Sequence, residues 1–233
     1  MSTGIFITGT DTEVGKTAVA TAILRQLAKG GAECRAYKPV ASGVTPEGSD
    51  PERLWQATGC RGRLADVCPQ AFLAAVAPEQ AARAEGRTVD ELLLRQGIAP
   101  LLTAELVVVE GVGGLFSPLG PGTLNHDLAR DLDLPLVVVD AARLGLIGRT
   151  LATVTAARVV GLTVGAVVIS ETAAGPATEP ADRPDSPAAI AAASLADLRR
   201  RLPDLPIGWL GHGAERIAPE IDWCRLAAPV RRQ

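Results

Sequence analysis

The segment Gly9-Thr10-Asp11-Thr12-Glu13-Val14-Gly15-Lys16-Thr17 combines glycines, a lysine and a hydroxyl at a spacing that suits phosphate. When a strand precedes such a turn and a helix follows it, backbone N–H groups and the helix N-terminus converge on an anion. The Lys16 ammonium then reaches the β and γ phosphates, and the Thr17 hydroxyl ligates Mg²⁺. Five residues separate the glycines, one more than the usual phosphate-loop pattern. A second acidic group is needed for the metal, and two strand ends offer one. Leu106 to Val109 runs into Glu110-Gly111-Val112-Gly113-Gly114, while Leu136 to Val139 runs into Asp140 followed by alanines. Glycines let backbone approach phosphate unobstructed, so Glu110 is preferred over Asp140. A third group is Lys38, in Tyr37-Lys38-Pro39-Val40-Ala41-Ser42-Gly43, where a strand-end lysine points into the same crevice. Lysines stand only at 16, 29 and 38, against twenty arginines. A compact ammonium persists where the flat guanidinium fork does not fit a tight phosphate cradle.

The elements that must position these groups are legible as short apolar runs without alternation. Ile5 to Thr8, Arg35 to Lys38, Leu106 to Val109, Leu136 to Val139 and Val164 to Ile169 read as strands buried on both faces. Helical spacing recurs between them: Val19, Ile23 and Leu27, and the segment Val89 to Leu102. Thr150 to Ser170 reads as a helix followed by a buried strand, with Arg158 and Gly161 arguing against a membrane span. Strands alternating with helices predict an α/β chain: a single-domain P-loop NTPase fold over 1–233, mainly parallel, with helices on both faces. Residues 171–187, with four prolines, read as a mobile surface loop, followed by a helix (Ala188 to Leu202) and a strand (Ile207 to Leu210).

Composition narrows the function. Net charge is −3 and hydrophobic content is 47%, which suits a folded enzyme and speaks against a surface built to neutralise a nucleic-acid backbone. The cysteines at 34, 60, 68 and 224 form no C-x-x-C pair and read as buried, reduced thiols. With Met1 running almost directly into an apolar strand, no signal peptide is expected, and the chain is placed in the cytoplasm with no membrane partner. His126 and His212 lack nucleophile partners and receive no role.

The segments G-T-D-T-E-V-G-K-T, Y-K-P-V-A-S-G and V-E-G-V-G-G, in this order, resemble the signatures of the dethiobiotin synthetase family. That resemblance implies a ligase taking 7,8-diaminononanoate, CO₂ and ATP, with Mg²⁺, and working as a homodimer. An amine traps CO₂ as a carbamate, the γ-phosphoryl group makes a mixed anhydride, and the second amine closes the ring. It also implies roles: Lys38, Lys16 and Thr12 in catalysis, Ser42 and Lys38 at the substrate, and Thr17, Asp50 and Glu110 on the metal. Glu13, Val14, Gly15, Lys16, Thr17, Ala18, Asp50 and Glu110, with Gly111, Val112 and Gly113, would surround the nucleotide. Without the resemblance, Asp50 before a helix near Pro51 reads as an N-cap.

Three positions depart from that family. Glu79 stands where a histidine is common. Ser170 replaces an asparagine that reads the adenine base, so base discrimination is expected to relax and other nucleoside triphosphates to substitute for ATP. Gly148 and Arg149 replace Asn and His at a helix start that receives the substrate carboxylate across the dimer, and Arg149 is expected to pair with it. The rival functional class is a P-loop switch ATPase of the partitioning or cell-division type, which usually adds an early lysine where Thr10 and Asp11 stand here. A cobyrinic-acid-type amidating ligase is a further alternative, but its usual glutamine-hydrolysing domain has no room in this chain.

Overall fold

In the computed structural model, residues 2–45, 48–172 and 187–231 are described. Among the described residues seven strands make one sheet: β1 (Thr3–Gly9), β2 (Cys34–Tyr37), β3 (Leu106–Gly114), β4 (Leu136–Ala141), β5 (Val164–Ser170), β6 (Ile207–Leu210) and β7 (Ala228–Pro229). Their spatial order is β2-β3-β1-β4-β5-β6, all parallel, with β7 antiparallel against β1. The helices are α1 (Lys16–Lys29), α2 (Asp50–Ala57), α3 (Leu64–Val67), α4 (Pro78–Ala84), α5 (Glu91–Gln96), α6 (Asn125–Leu132), α7 (Leu146–Val159), α8 (Pro187–Arg201) and α9 (Trp223–Leu226).

Successive strand residues point to opposite faces, and here both faces are covered. Phe6, Val107, Val109, Leu136 and Val138 pack on one side with residues of α5, α6 and α7. Ile5, Ile7, Leu106, Val108 and Val137 pack on the other against α1 and α2, through Val19, Ile23, Leu27 and Leu54. This is why the strands read as unbroken apolar runs. It also fixes the strand ends rigidly, because a register slip would exchange the two buried sets.

Several expectations need adjustment. The single helix expected over Val89–Leu102 is split: α5 stops at Gly97, and Ala99–Leu101 forms a 3₁₀ turn carrying Pro100. Strand β3 continues through Glu110 to Gly114 instead of ending before the glycines. The cysteines are free, but only Cys34 and Cys68 are buried; Cys60 and Cys224 are exposed. Of the proline-rich segment 171–187, residues 173–186 lie outside the described residues.

Candidate active site

Strand register brings the chemistry together. Ile7 of β1 pairs with Glu110 of β3, and Tyr37 of β2 pairs with Val109. Lys38, one residue past Tyr37, therefore lies beside Glu110 at the carboxyl edge of the sheet, and the loop after β1 rises next to both. Lys38 Nζ donates to Glu110 Oε1 and to the Gly111 carbonyl at 3.2 Å, with Asp50 Oδ2 at 3.7 Å. Thr17 Oγ1 donates to the same Glu110 Oε1 at 2.9 Å. Lys16 Nζ reaches back to the Asp11 carbonyl at 2.9 Å.

Electrostatics set the two lysines apart although both are buried. Burial pulls the Lys16 pKa down to about 8, and Glu110 only partly restores it. Burial acts on Lys38 too, but the adjoining Glu110 and Asp50 carboxylates outweigh it and hold that ammonium charged.

The loop conformation explains its glycines. Gly15, the N-cap of α1, has φ 90°, and a side chain there would meet Ser170 Cβ at 2.8 Å. Glu13 adopts φ 56° without being glycine, a left-handed strain at the tip of the loop. Asp11 closes the turn by accepting from the Thr12 amide at 2.7 Å. Thr12 itself is exposed, and Val14 is fully buried in the core, so only its backbone can face a ligand.

A cleft of about 700 Å³ opens above this loop. Its walls include Glu13, Gly15, Lys16, Thr17 and Ala18, with Asp50 on one side and Ser170 on the other. Glu110, Gly111, Val112 and Gly113, expected to wrap a nucleotide, do not line that cleft. Asn125 braces the end of β3: its Oδ1 accepts from Val112 N at 3.1 Å, and its Nδ2 donates to the Val112 carbonyl and to Gly114 O at 2.7 Å. Sequence reasoning missed Asn125, because an isolated asparagine opening a helix carries no motif. It also gave no role to His212, which lines the far end of the cleft with Gly211 and Gly213. Its place just past β6, at the carboxyl edge of a parallel strand, was the available signal.

Asp50 is not the helix cap. Ser49 takes that place, its amide donating to Glu52 Oε2 at 3.2 Å, and this leaves the Asp50 carboxylate facing Lys38. Asp140 is fully occupied by Thr10 Oγ1 at 2.7 Å, Thr150 Oγ1 at 3.1 Å and Arg149 Nε at 3.1 Å. Glu110, by contrast, keeps a buried Oε2 with no partner. That orphaned oxygen, together with the Thr17 hydroxyl and Asp50, makes a hard-oxygen donor set that suits Mg²⁺. Among the described residues no group of three or more His, Cys, Asp or Glu side chains gathers for a metal, so Glu110 and Asp50 are two carboxylates assisted by one hydroxyl.

Ser42 lines a smaller cavity of about 190 Å³ beside Gly43 and Asp50. Arg149 sits differently from a free carboxylate receptor. Besides Asp140, it donates to the Leu144 carbonyl at 3.0 Å and the Ala141 carbonyl at 3.3 Å, tying down the turn that starts α7. Glu79 pairs with Arg83 at 2.8 Å on the surface of α4.

A family profile described as an AAA domain matches residues 3–206. The ATP-dependent dethiobiotin synthetase BioD of Anaeromyxobacter sp. (strain K) is 44% identical over 81% of this chain and 84% of that protein. The synthetase of the same name from Caulobacter sp. (strain K31) is 38% identical over 74% and 77%. The chain belongs to the dethiobiotin synthetase family. Among solved structures, chloroplast FtsY from Physcomitrella patens aligns with TM-score 0.51 at 14% identity, over 97% of this chain and 64% of that one. The hydrogenase maturation factor HypB from Archaeoglobus fulgidus aligns with TM-score 0.51 at 13% identity, over 91% and 82%. Those two likenesses speak for the P-loop α/β fold, whereas dethiobiotin synthetase membership rests on the relatives and on the three signature segments.

Proposed function

We propose that this protein is an ATP-dependent ligase that joins CO₂ to 7,8-diaminononanoate and closes the ureido ring of dethiobiotin, releasing ADP and phosphate. The observation that carries this reading is the buried Lys38, held charged by Glu110 and by Asp50 of the phosphate-loop cleft wall, in a chain of this family. A switch ATPase of the partitioning type would bring its second lysine from the start of the phosphate loop, where Thr10 and Asp11 stand here.

The steps follow from charge. One substrate amine takes up CO₂ as a carbamate and loses a proton. The carbamate oxygen attacks the γ-phosphorus, the bond to ADP breaks, and a carbamic-phosphoric anhydride forms. The neutral second amine attacks the carbonyl carbon, phosphate leaves, and the ring closes. Two anions must meet in the second step. The Lys16 and Lys38 ammonium groups reduce their repulsion and stabilise charge on the transferring group. Backbone amides of the loop from Glu13 to Ala18 cradle the phosphates, with Thr12 at its exposed tip and Ser42 on the substrate side. Mg²⁺, held by Thr17, Asp50 and Glu110, supplies further charge neutralisation when bound.

The substrate carboxylate is placed at the start of α7, where Arg149 positions the turn, and a second copy of the chain completes the pocket as a homodimer. Ser170 packs against Gly15 and brings no amide to the base, so triphosphates other than ATP are accepted. No described helix is long and apolar enough to cross a membrane. With the net charge of −3, this supports a cytoplasmic enzyme of small molecules with no nucleic-acid partner. The test is incubation with diaminononanoate, bicarbonate and MgATP. Substrate-stimulated phosphate release with dethiobiotin in the product supports the reading, and phosphate release indifferent to the diamine overturns it.

A further inference from the structure

Arg53 lies three residues after Asp50 on α2, and residues at that spacing share a helix face. Asp50 and Arg53 are the two residues common to the walls of the nucleotide cleft and of the Ser42 cavity. They stand where those spaces meet. Arg53 is exposed; its backbone amide donates to Ser49 O at 3.1 Å, and its guanidinium has no hydrogen bond or ion pair with any described residue. The other arginine of the cleft, Arg25, is already paired with Glu215 at 3.1 Å.

The charge balance of the crevice gives this position a purpose. Lys38 is engaged by Glu110 and Asp50, and Lys16 is turned onto the Asp11 carbonyl. The two ammonium groups are thus offset by two carboxylates before any anion arrives. A triphosphate meeting a carbamate adds negative charge from both sides, at the junction of the two cavities. An unpaired guanidinium there offers a planar fork that fits two phosphoryl oxygens at once.

We propose that Arg53 is a phosphate-binding residue of this enzyme, closing on the terminal phosphoryl group where the nucleotide cleft meets the substrate cavity. The inference rests on the dethiobiotin synthetase reading and adds to it a group that distinguishes triphosphate from diphosphate. The β-phosphate is held by the loop backbone and Lys16, so ADP has no need of Arg53.

The test measures equilibrium binding of a non-hydrolysable ATP analogue and of ADP, each with Mg²⁺, to the parent, Arg53→Ala and Arg53→Lys. Loss of a charge-assisted contact predicts a triphosphate affinity lower by roughly 10- to 100-fold in Arg53→Ala, with ADP affinity within a few-fold of the parent. Arg53→Lys restores part of the loss, as a point charge without the fork. Equal triphosphate affinity in parent and Arg53→Ala overturns the proposal, as does an equal loss for both nucleotides. Dethiobiotin formation by the parent is assayed separately. Its absence sinks the functional reading whatever the binding ratio shows.

Discussion

Replacing Lys38 by glutamine removes the buried ammonium between Glu110 and Asp50 while leaving an amide that can still donate to Glu110. Two costs separate cleanly. The stability cost follows from Glu110, which is fully buried and already has one unpartnered oxygen. Trading a charged donor for a neutral one beside it costs about 1–3 kcal/mol, or a fall in Tm of roughly 2–12 °C for a chain of this length. Complete removal of the donor, as in Lys38→Met, approaches the 3–5 kcal/mol typical of breaking a buried pair. The catalytic cost comes from losing one fixed cation at the transferring phosphoryl group, which lowers kcat by about 10²–10³, or roughly 2.7–4 kcal/mol. KM for ATP is expected to change little, with the hold on the nucleotide assigned to the loop and Lys16. The assay is steady-state phosphate release at saturating diaminononanoate and bicarbonate, with melting curves on the same preparation. A Lys38→Gln enzyme that melts near the parent and turns over within a few-fold of it would remove Lys38 from the mechanism.

Other consequences follow from individual contacts. Asn125→Ala frees the Val112 and Gly114 backbone groups it binds, and is expected to lower stability by about 1–3 kcal/mol in a melting experiment; an unchanged Tm contradicts the latch. With Ser170 packed against Gly15, CTP and GTP are expected to support turnover, and a kcat/KM preference for ATP above ~10³ refutes this. Burial lowers the Lys16 pKa from 10.5 to about 8. Above that value the free protein holds it neutral while the unfolded chain keeps it charged. Its burial penalty is therefore fully present below pH 8 and is relieved as pH rises toward 10.5. Triphosphate binding needs the charged form, so affinity is expected to fall from about pH 8 upward with proton uptake on binding, and a flat binding profile contradicts it. Arg149→Ala releases the turn before α7 and is expected to raise KM for diaminononanoate while lowering Tm; a lower Tm with unchanged KM confines Arg149 to structure.

The central strands were readable in the sequence because a parallel sheet covered on both faces leaves long apolar runs, as in Val107–Val109 and Val137–Val139. Strand β7 was not, since two residues pairing antiparallel with Thr3 and Gly4 leave no periodic trace. The break after α5 was hidden because apolar residues continue past Gly97 and Pro100 at helical spacing. Within the site, Lys16 and Thr17 were legible because they open a helix after Gly15, Glu110 because glycines follow it, and Lys38 because it follows an apolar strand and is one of few lysines. The choice between Glu110 and Asp140 was made on glycines alone. In the structure the two differ in partners: Asp140 accepts from Thr10, Thr150 and Arg149, whereas Glu110 accepts from Thr17 and Lys38. Asp50 shows the limit of local reasoning, since Ser49 and Glu52 form the cap and free the next carboxylate for a lysine twelve positions away. Asn125 and Arg53 were out of reach for the same reason. Their surroundings are assembled from segments distant in the chain, and neither belongs to a motif.

A crystal structure with a non-hydrolysable ATP analogue and Mg²⁺ tests the central claim most directly. The account predicts the terminal phosphate within hydrogen-bonding reach of both Lys16 and Lys38, with the glycine turn wrapped around the phosphate before it. A nucleotide bound elsewhere, or a Lys38 ammonium still closed onto Glu110 and turned from the terminal phosphate, would contradict it.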